Sequence, residues 1–147
     1  MVKKRKINMK ILALDLGDKW VGSAISDALG ITCRPYQTVE LNQLKNFLLK
    51  MIKKENISTI VIGKPTTFSG KESEQTKKII NMAEKLKNEI NLEVEDKIKW
   101  ILWDERLSSK RAEALKQRKV KNKEDKIKSH SVAAAFILQT YLDNLSK

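Results

Sequence analysis

Short segments in the first third of the chain have the apolar, strand-like character that precedes turns. The segment from Lys10 to Leu16 reads KILALDL and predicts a first strand, and Trp20 to Ser26 and Thr32 to Val39 predict two further strands. The intervening letters GDK are typical of a turn. Three short strands joined by turns predict an antiparallel meander at the start of the fold.

The period changes to that of helices after this meander. One apolar stripe runs from Leu41 to Ile52 and a second from Ile79 to Ile90, and both recur every three or four residues. The letters STIVIG between the two stripes predict a buried strand, and KIKWILWDE predicts a last strand. A meander followed by alternating helices and strands predicts an α/β fold, with a mixed five-stranded sheet flanked by helices.

The last third of the chain divides into three segments. SSKRAEALKQRK predicts a short basic helix, with a serine as N-cap. VKNKEDKIKS has no apolar period and predicts a loop. HSVAAAFILQTYLDNL predicts a closing helix that is largely buried, in which three successive alanines allow close packing.

Length and composition indicate a single cytoplasmic domain. The chain has 147 residues, which suits one globular domain over residues 9–147, preceded by a basic extension over residues 1–8. Its longest apolar run, Val132 to Leu138, is too short to span a bilayer, so no membrane partner is expected. One cysteine, Cys33, excludes an internal disulfide. We expect a monomer or a weak homodimer.

The positive charge lies in two segments. The net charge is +12, and Met1 to Lys10 holds five Lys/Arg residues and no acid, while Lys110 to Lys128 holds nine Lys/Arg residues and three acids. Such confined charge indicates a surface that binds a polyanion such as a nucleic acid. The alternative is a lysine-rich composition that only decorates solvated faces.

Three acidic residues interrupt or follow apolar strands: Asp15 in the first strand, and Asp104 and Glu105 at the end of the last. The carboxyl ends of parallel strands meet at one edge of a sheet, so these residues are expected to converge there. Carboxylates suit Mg²⁺ or Mn²⁺, which can assist phosphodiester hydrolysis. Alternatively, Asp15 caps the following turn, and the acidic pair forms an ion pair with a nearby arginine.

Four ordered motifs then resemble a known family. They are MKILALDLGDKWVGSAISD, IVIGKPTTFSGKESEQT, DERLSSKRAEAL and HSVAAAFILQTYL. Together they are similar to the YqgF family of RNase H-like proteins, described as pre-16S rRNA nucleases and earlier as Holliday junction resolvases. The resemblance implies an RNase H-like fold, maturation of the 5′ end of 16S rRNA, and a metal-dependent acidic site with Asp15 and Glu105 as ligands and Asp104 beside them.

His130 departs from the family pattern. It is the only histidine of the chain and stands where the family has an aspartate that opens the last helix. Imidazole can bind a metal ion or accept a proton, so His130 is predicted as a third ligand or a base. The alternative is a helix residue without function.

Residues expected to contact nucleic acid are the glycine of a loop and the basic side chains near the acidic edge and in the second basic segment. These are Lys19, Gly63, Lys64, Arg106, Lys110, Arg111, Arg118, Lys119, Lys121 and Lys123. Such contacts give affinity to a nuclease and to a non-catalytic binding protein alike. A protein that binds RNA or a DNA junction without cleaving it therefore stays open, as does a resolvase acting on branched DNA.

Overall fold

Five strands form one mixed sheet in the computed structural model, which describes residues 9–65, 73–95, 97–104 and 123–145. The strands are β1 (Lys10–Leu16), β2 (Trp20–Ser26), β3 (Cys33–Glu40), β4 (Ile57–Lys64) and β5 (Lys99–Asp104). Their spatial order is β3-β2-β1-β4-β5. The first three strands are antiparallel, and β4 and β5 run parallel to β1. The predicted five-stranded mixed sheet is confirmed.

Helices cover both faces of this sheet. A short 3-10 turn, Leu41–Gln43, leads into α1 (Leu44–Lys54), and α2 (Glu74–Glu93) follows β4. Both pack on one face, and their apolar stripes belong to the larger hydrophobic cluster. The last helix, α3 (Lys123–Leu145), packs on the opposite face with a smaller cluster.

The alternation of β1 separates the two clusters. Leu12 and Leu14 are fully buried towards α1 and α2, whereas Ala13 between them is buried towards α3. The face under α3 carries small side chains, with Ala24 beside Ala13 in the sheet. Small residues on this face let the helix backbone come close to the strands, and this closeness shapes the site described below.

The start of α3 corrects one sequence-based prediction. Residues 120–129 were expected to form a loop, but α3 begins at Lys123, so His130 lies about two turns inside the helix and does not open it. The first turns are largely exposed, so they carry no apolar stripe for a periodicity argument to detect. Glu124 and Asp125 lie in the first turn, where the helix dipole favours negative charge.

Some predicted segments lie outside the described residues. These are the basic extension over residues 1–8 and the short basic helix predicted within residues 108–119, and both stay predictions. Within the described ranges, none of the helices has the length and apolar character that a bilayer crossing requires.

Candidate active site

Asp15 and His130 come together on the α3 face of the sheet. The distance from His130 Nδ1 to Asp15 Oδ2 is 3.5 Å, and the two side chains are only 23% and 15% exposed. Nδ1 is buried and makes no hydrogen bond with any residue in the described ranges. A buried ring nitrogen that faces a carboxylate without a hydrogen bond is uncommon in a folded protein, because burying an unpaired polar atom costs free energy.

Gly22 allows this approach. It is the cross-strand partner of Asp15 in the β1–β2 pair. A Cβ atom at Gly22 would lie 2.0 Å from both the carbonyl carbon and the carbonyl oxygen of His130, and 2.4 Å from the backbone nitrogen of Ser131. The backbone of α3 therefore rests directly on Gly22, and no other residue type fits there without moving the helix.

Thr38 extends the same row of the sheet. It pairs with Gly22 across β2 and β3, and its Oγ1 donates a hydrogen bond of 3.0 Å to the backbone carbonyl of Ile127. Asp15, Gly22 and Thr38 thus form one line across three strands, beneath the segment of α3 that holds His130. Gly22 and Thr38 both contact the backbone of α3 close to His130.

The parallel half of the sheet adds Gly63 to this neighbourhood. The β1–β4 register pairs Leu14 with Ile62, so the next residues, Asp15 and Gly63, stand side by side. Gly63 also pairs with Trp103, whose indole N–H donates to Thr140 of α3. The predicted glycine is therefore next to Asp15 on the α3 face.

Two other predicted residues lie on the opposite face. Asp104 follows Trp103, and since strand side chains alternate, Asp104 points towards the side of α1 and α2. Lys64 is its cross-strand partner in β4 and shares that face. The structure therefore does not bring these two side chains together with Asp15 and His130, although sequence reasoning had grouped Asp104 with them. The physical reason is the two-residue period of β5.

Of the remaining predicted residues, the structure describes two, Lys19 and Lys123. Lys19 lies in the turn between β1 and β2 and is exposed, and Lys123 is the exposed first residue of α3. The others, whose roles stay predictions, lie outside the described residues: Glu105, Arg106, Lys110, Arg111, Arg118, Lys119 and Lys121.

The donor atoms present fit a divalent cation in part. Asp15 offers carboxylate oxygen, and Nδ1 of His130 offers nitrogen, a combination that Mn²⁺ accepts and Mg²⁺ tolerates less well. Their separation of 3.5 Å is close to the ~3 Å between neighbouring ligands of an octahedral ion. Among the residues that the structure describes, no cluster of three or more acidic, histidine or cysteine side chains is found.

Sequence reasoning missed Gly22 and Thr38. A glycine inside an apolar strand is a recognised signal for the close approach of another backbone, and VGSAIS contains one. That signal could have identified Gly22, but not which element approaches it. Thr38 carries no such signal, since its contact with α3 joins residues 89 positions apart.

Comparisons with known proteins agree with this architecture. A family model described as "RuvX: Holliday junction resolvase" matches residues 9–144. A relative from Sulfurihydrogenibium sp. is 46% identical over 140 residues, covering 93% of this chain and 92% of its own. Another from Dictyoglomus turgidum is 40% identical over 142 residues, covering 94% and 96%. Both are named "Putative pre-16S rRNA nuclease". The family resemblance predicted from the motifs is confirmed.

A solved structure shares the fold. RuvC of Thermus thermophilus in complex with a Holliday junction substrate superposes with a TM-score of 0.58, at 13% identity, covering 94% of this chain and 96% of that one. A second Thermus thermophilus RuvC structure gives a TM-score of 0.51 at 8% identity. At these identities the likeness shows the fold alone, and it confirms the predicted RNase H-like fold.

Proposed function

The chain belongs to the RuvX family, and on that premise we propose that it is a nuclease that hydrolyses phosphodiester bonds in the precursor of 16S rRNA. The site that we assign to this reaction contains Asp15, His130 and Glu105 with a bound divalent cation. One observation carries the proposal: the buried Nδ1 of His130, which has no hydrogen-bond partner among the described residues, lies 3.5 Å from a carboxylate oxygen of Asp15.

The roles of the two described side chains follow from their positions. Asp15 supplies carboxylate oxygens at the carboxyl end of β1, and His130 supplies a ring nitrogen from α3. Asp15 and His130 are the residues that would hold a divalent cation, and such an ion would supply positive charge to offset the negative charge that develops on a phosphodiester during hydrolysis. Gly22 and Thr38 hold α3 so that the two donor atoms stay close. Glu105 follows β5 directly in the sequence and is the proposed third ligand.

The choice of cation follows from His130. Imidazole in place of a carboxylate removes one negative charge, and this weakens the attraction for the hard Mg²⁺ ion. Mn²⁺ accepts nitrogen ligands more readily. We therefore expect the wild-type protein to prefer Mn²⁺, and His130→Asp to shift the preference towards Mg²⁺.

Binding of the substrate is assigned to the basic segments. Lys123 and the neighbouring lysines at the start of α3 belong to the segment with six excess positive charges. Neutralising phosphates with such residues gives affinity that falls with salt. Binding should then persist when the cation is removed with a chelator, whereas cleavage should stop.

The deciding experiment compares wild type with Asp15→Asn and His130→Ala. Each protein is incubated with a 16S rRNA precursor fragment in Mn²⁺, Mg²⁺ or chelator, and Mn²⁺ binding is measured separately by calorimetry. Asp15→Asn keeps the side-chain shape, so we expect an unchanged melting temperature with loss of both Mn²⁺ binding and cleavage. A folded Asp15→Asn protein with full activity would remove this site from the reaction.

Branched DNA is a second candidate substrate, favoured by the description of the family as a Holliday junction resolvase. The same preparations are therefore incubated with a four-way DNA junction. Cleavage of the junction and not of the precursor would assign resolvase activity. Binding of either substrate without cleavage under any metal condition would favour the non-catalytic binding protein.

A further inference from the structure

Trp20 differs from the other two tryptophans because it does not pack into either hydrophobic cluster of the described part of the chain. Trp100 packs against the hydrophobic cluster of α1 and α2, and Trp103 against that of α3. The indole N–H of each donates a hydrogen bond, to Asn91 and to Thr140 respectively. Trp20 belongs to neither cluster, and its indole N–H has no hydrogen-bond partner among the described residues.

Trp20 lies beside the Asp15–His130 pair. It is two residues before Gly22 on β2, so it shares the α3 face and stands about 7 Å along the strand from the row that contains Asp15. Gly17 lies between the backbone of Trp20 and the imidazole ring of His130. A Cβ at Gly17 would lie 2.5 Å from the backbone oxygen of Trp20 and 3.6 Å from Cε1 of His130. Trp20 is therefore at the rim of the proposed catalytic site, and it is partly exposed.

The charges around Trp20 favour contact with a base over contact with a phosphate. The Nζ atom of Lys19 lies over the indole, 5.8 Å from its centroid. Glu40, the cross-strand partner of Trp20, contributes an opposite charge close by. An acidic residue in the neighbouring strand disfavours a phosphate at the ring, whereas a neutral base can stack on the indole and leave its own phosphate to the exposed Lys19.

We propose that Trp20 is a stacking platform for an unpaired base of the substrate, with Lys19 holding the adjoining phosphate. The inference rests on the proposed function and extends it, because it names single-stranded nucleic acid as the part of the substrate held at the site. A base inside a duplex has no free face for such stacking, so binding through Trp20 selects strands that are unpaired next to the cleaved bond.

Binding without metal tests the inference separately from cleavage. The full chain, in chelator, is titrated with fluorescent 12-nucleotide single strands of RNA and of DNA, and with a duplex of the same sequence. Trp20→Leu should weaken single-strand binding about 5- to 150-fold, the range for loss of one base–aromatic stack, and should leave duplex binding within about twofold. The RNA and DNA arms show whether the platform distinguishes the sugar.

Two further variants separate stacking from charge and from folding. Trp20→Phe keeps an aromatic face and should retain most of the affinity, which guards against a Trp20→Leu protein that folds poorly. Lys19→Gln should reduce the salt slope of single-strand binding by roughly 0.7, whereas Trp20→Leu should leave the slope unchanged. Trp100→Phe is the matched control on the opposite face and should bind as wild type does. Intrinsic tryptophan fluorescence should be quenched by single strands in wild type and not in Trp20→Phe.

The outcomes are distinguishable. Wild-type protein that binds neither single strands nor duplex would overturn the proposed function together with the stacking platform. Wild-type protein that binds and cleaves, with folded Trp20→Leu and Trp20→Phe proteins of unchanged single-strand affinity, would overturn the platform alone. Equal losses of affinity for single strands and for duplex would also overturn it, because losing a stack on an unpaired base cannot weaken duplex binding.

Discussion

Gly22→Ala tests whether the contact between α3 and the sheet controls the site. The added methyl group would lie 2.0 Å from the backbone of His130, while ordinary van der Waals contact begins at 3.4 Å. The backbone of α3 must therefore retreat by about 1.4 Å, or β2 must move by the same amount. No rotamer change can relieve the clash, because the atoms on both sides belong to backbones or to a Cβ.

The expected losses of stability and of cleavage rate can be estimated from this displacement. Overpacking of a tight contact costs about 1–3 kcal/mol, which for a chain of this length lowers the melting temperature by roughly 2 to 12 °C. A misplacement of ~1 Å between catalytic groups can reduce the rate by about 100-fold. We therefore expect Gly22→Ala to be folded at 25 °C, moderately destabilised, and about 100-fold less active.

The assay uses the fact that His130 is the only histidine of the chain. Its imidazole proton signals can be followed by NMR without further assignment, and they should shift in Gly22→Ala when the ring moves relative to Asp15. Thermal unfolding and cleavage with Mn²⁺ are measured on the same preparation. Together these three measurements report position, stability and activity.

Gly30→Ala is the matched control. Gly30 lies in the connection between β2 and β3 at φ 70°, and a Cβ there meets no atom within 4 Å. Alanine in this left-handed conformation costs about 1–2 kcal/mol without displacing α3. Gly30→Ala should thus lose similar stability and keep its activity and its histidine signals. If Gly22→Ala kept wild-type activity and histidine signals, the role given to Gly22 would be refuted.

Three further predictions concern single side chains. Thr38→Val should lower the free energy of unfolding by about 1 kcal/mol in urea titrations, with Thr38→Ser nearer to wild type, because only valine removes the hydrogen bond to α3. Burial raises the pKa of Cys33 to about 11, so alkylation by iodoacetamide at pH 8 should be about 100-fold slower than for a thiol with the ordinary pKa of 9.0. The free energy of unfolding should also decline from pH 9 to 11, because the thiol ionises more easily in the unfolded chain. An alkylation rate equal to that of an ordinary thiol would contradict this prediction. A hydrogen bond from Lys10 lowers the pKa of Glu55 below 4.5. The pair therefore stabilises the fold above that pH and loses this effect as the pH falls. Glu55→Gln should make the free energy of unfolding depend less on pH in the acid range.

Local pattern in the sequence was enough to predict most of the framework. The strands β1 and β2 were predicted from short, largely apolar runs, and the buried stripe of α2 was predicted from the helical period. Asp15 stood out because a carboxylate interrupts such an apolar run. The family was also recognisable from ordered motifs alone, because those motifs are contiguous in the chain.

Other features of the site depend on tertiary contacts, which local sequence pattern does not indicate. The first turns of α3 are exposed, so nothing apolar marked Lys123 as the start of a helix, and the depth of His130 within it was missed. Asp104 was grouped with Asp15 because both stand at strand ends, yet the alternation of β5 points it to the other face. The contact of α3 with Gly22 joins residues more than a hundred positions apart. An apolar repeat in the sequence indicates that a residue is buried, but it does not indicate which residue covers it. The contacts that form the site are therefore known only once the last helix is packed on the sheet.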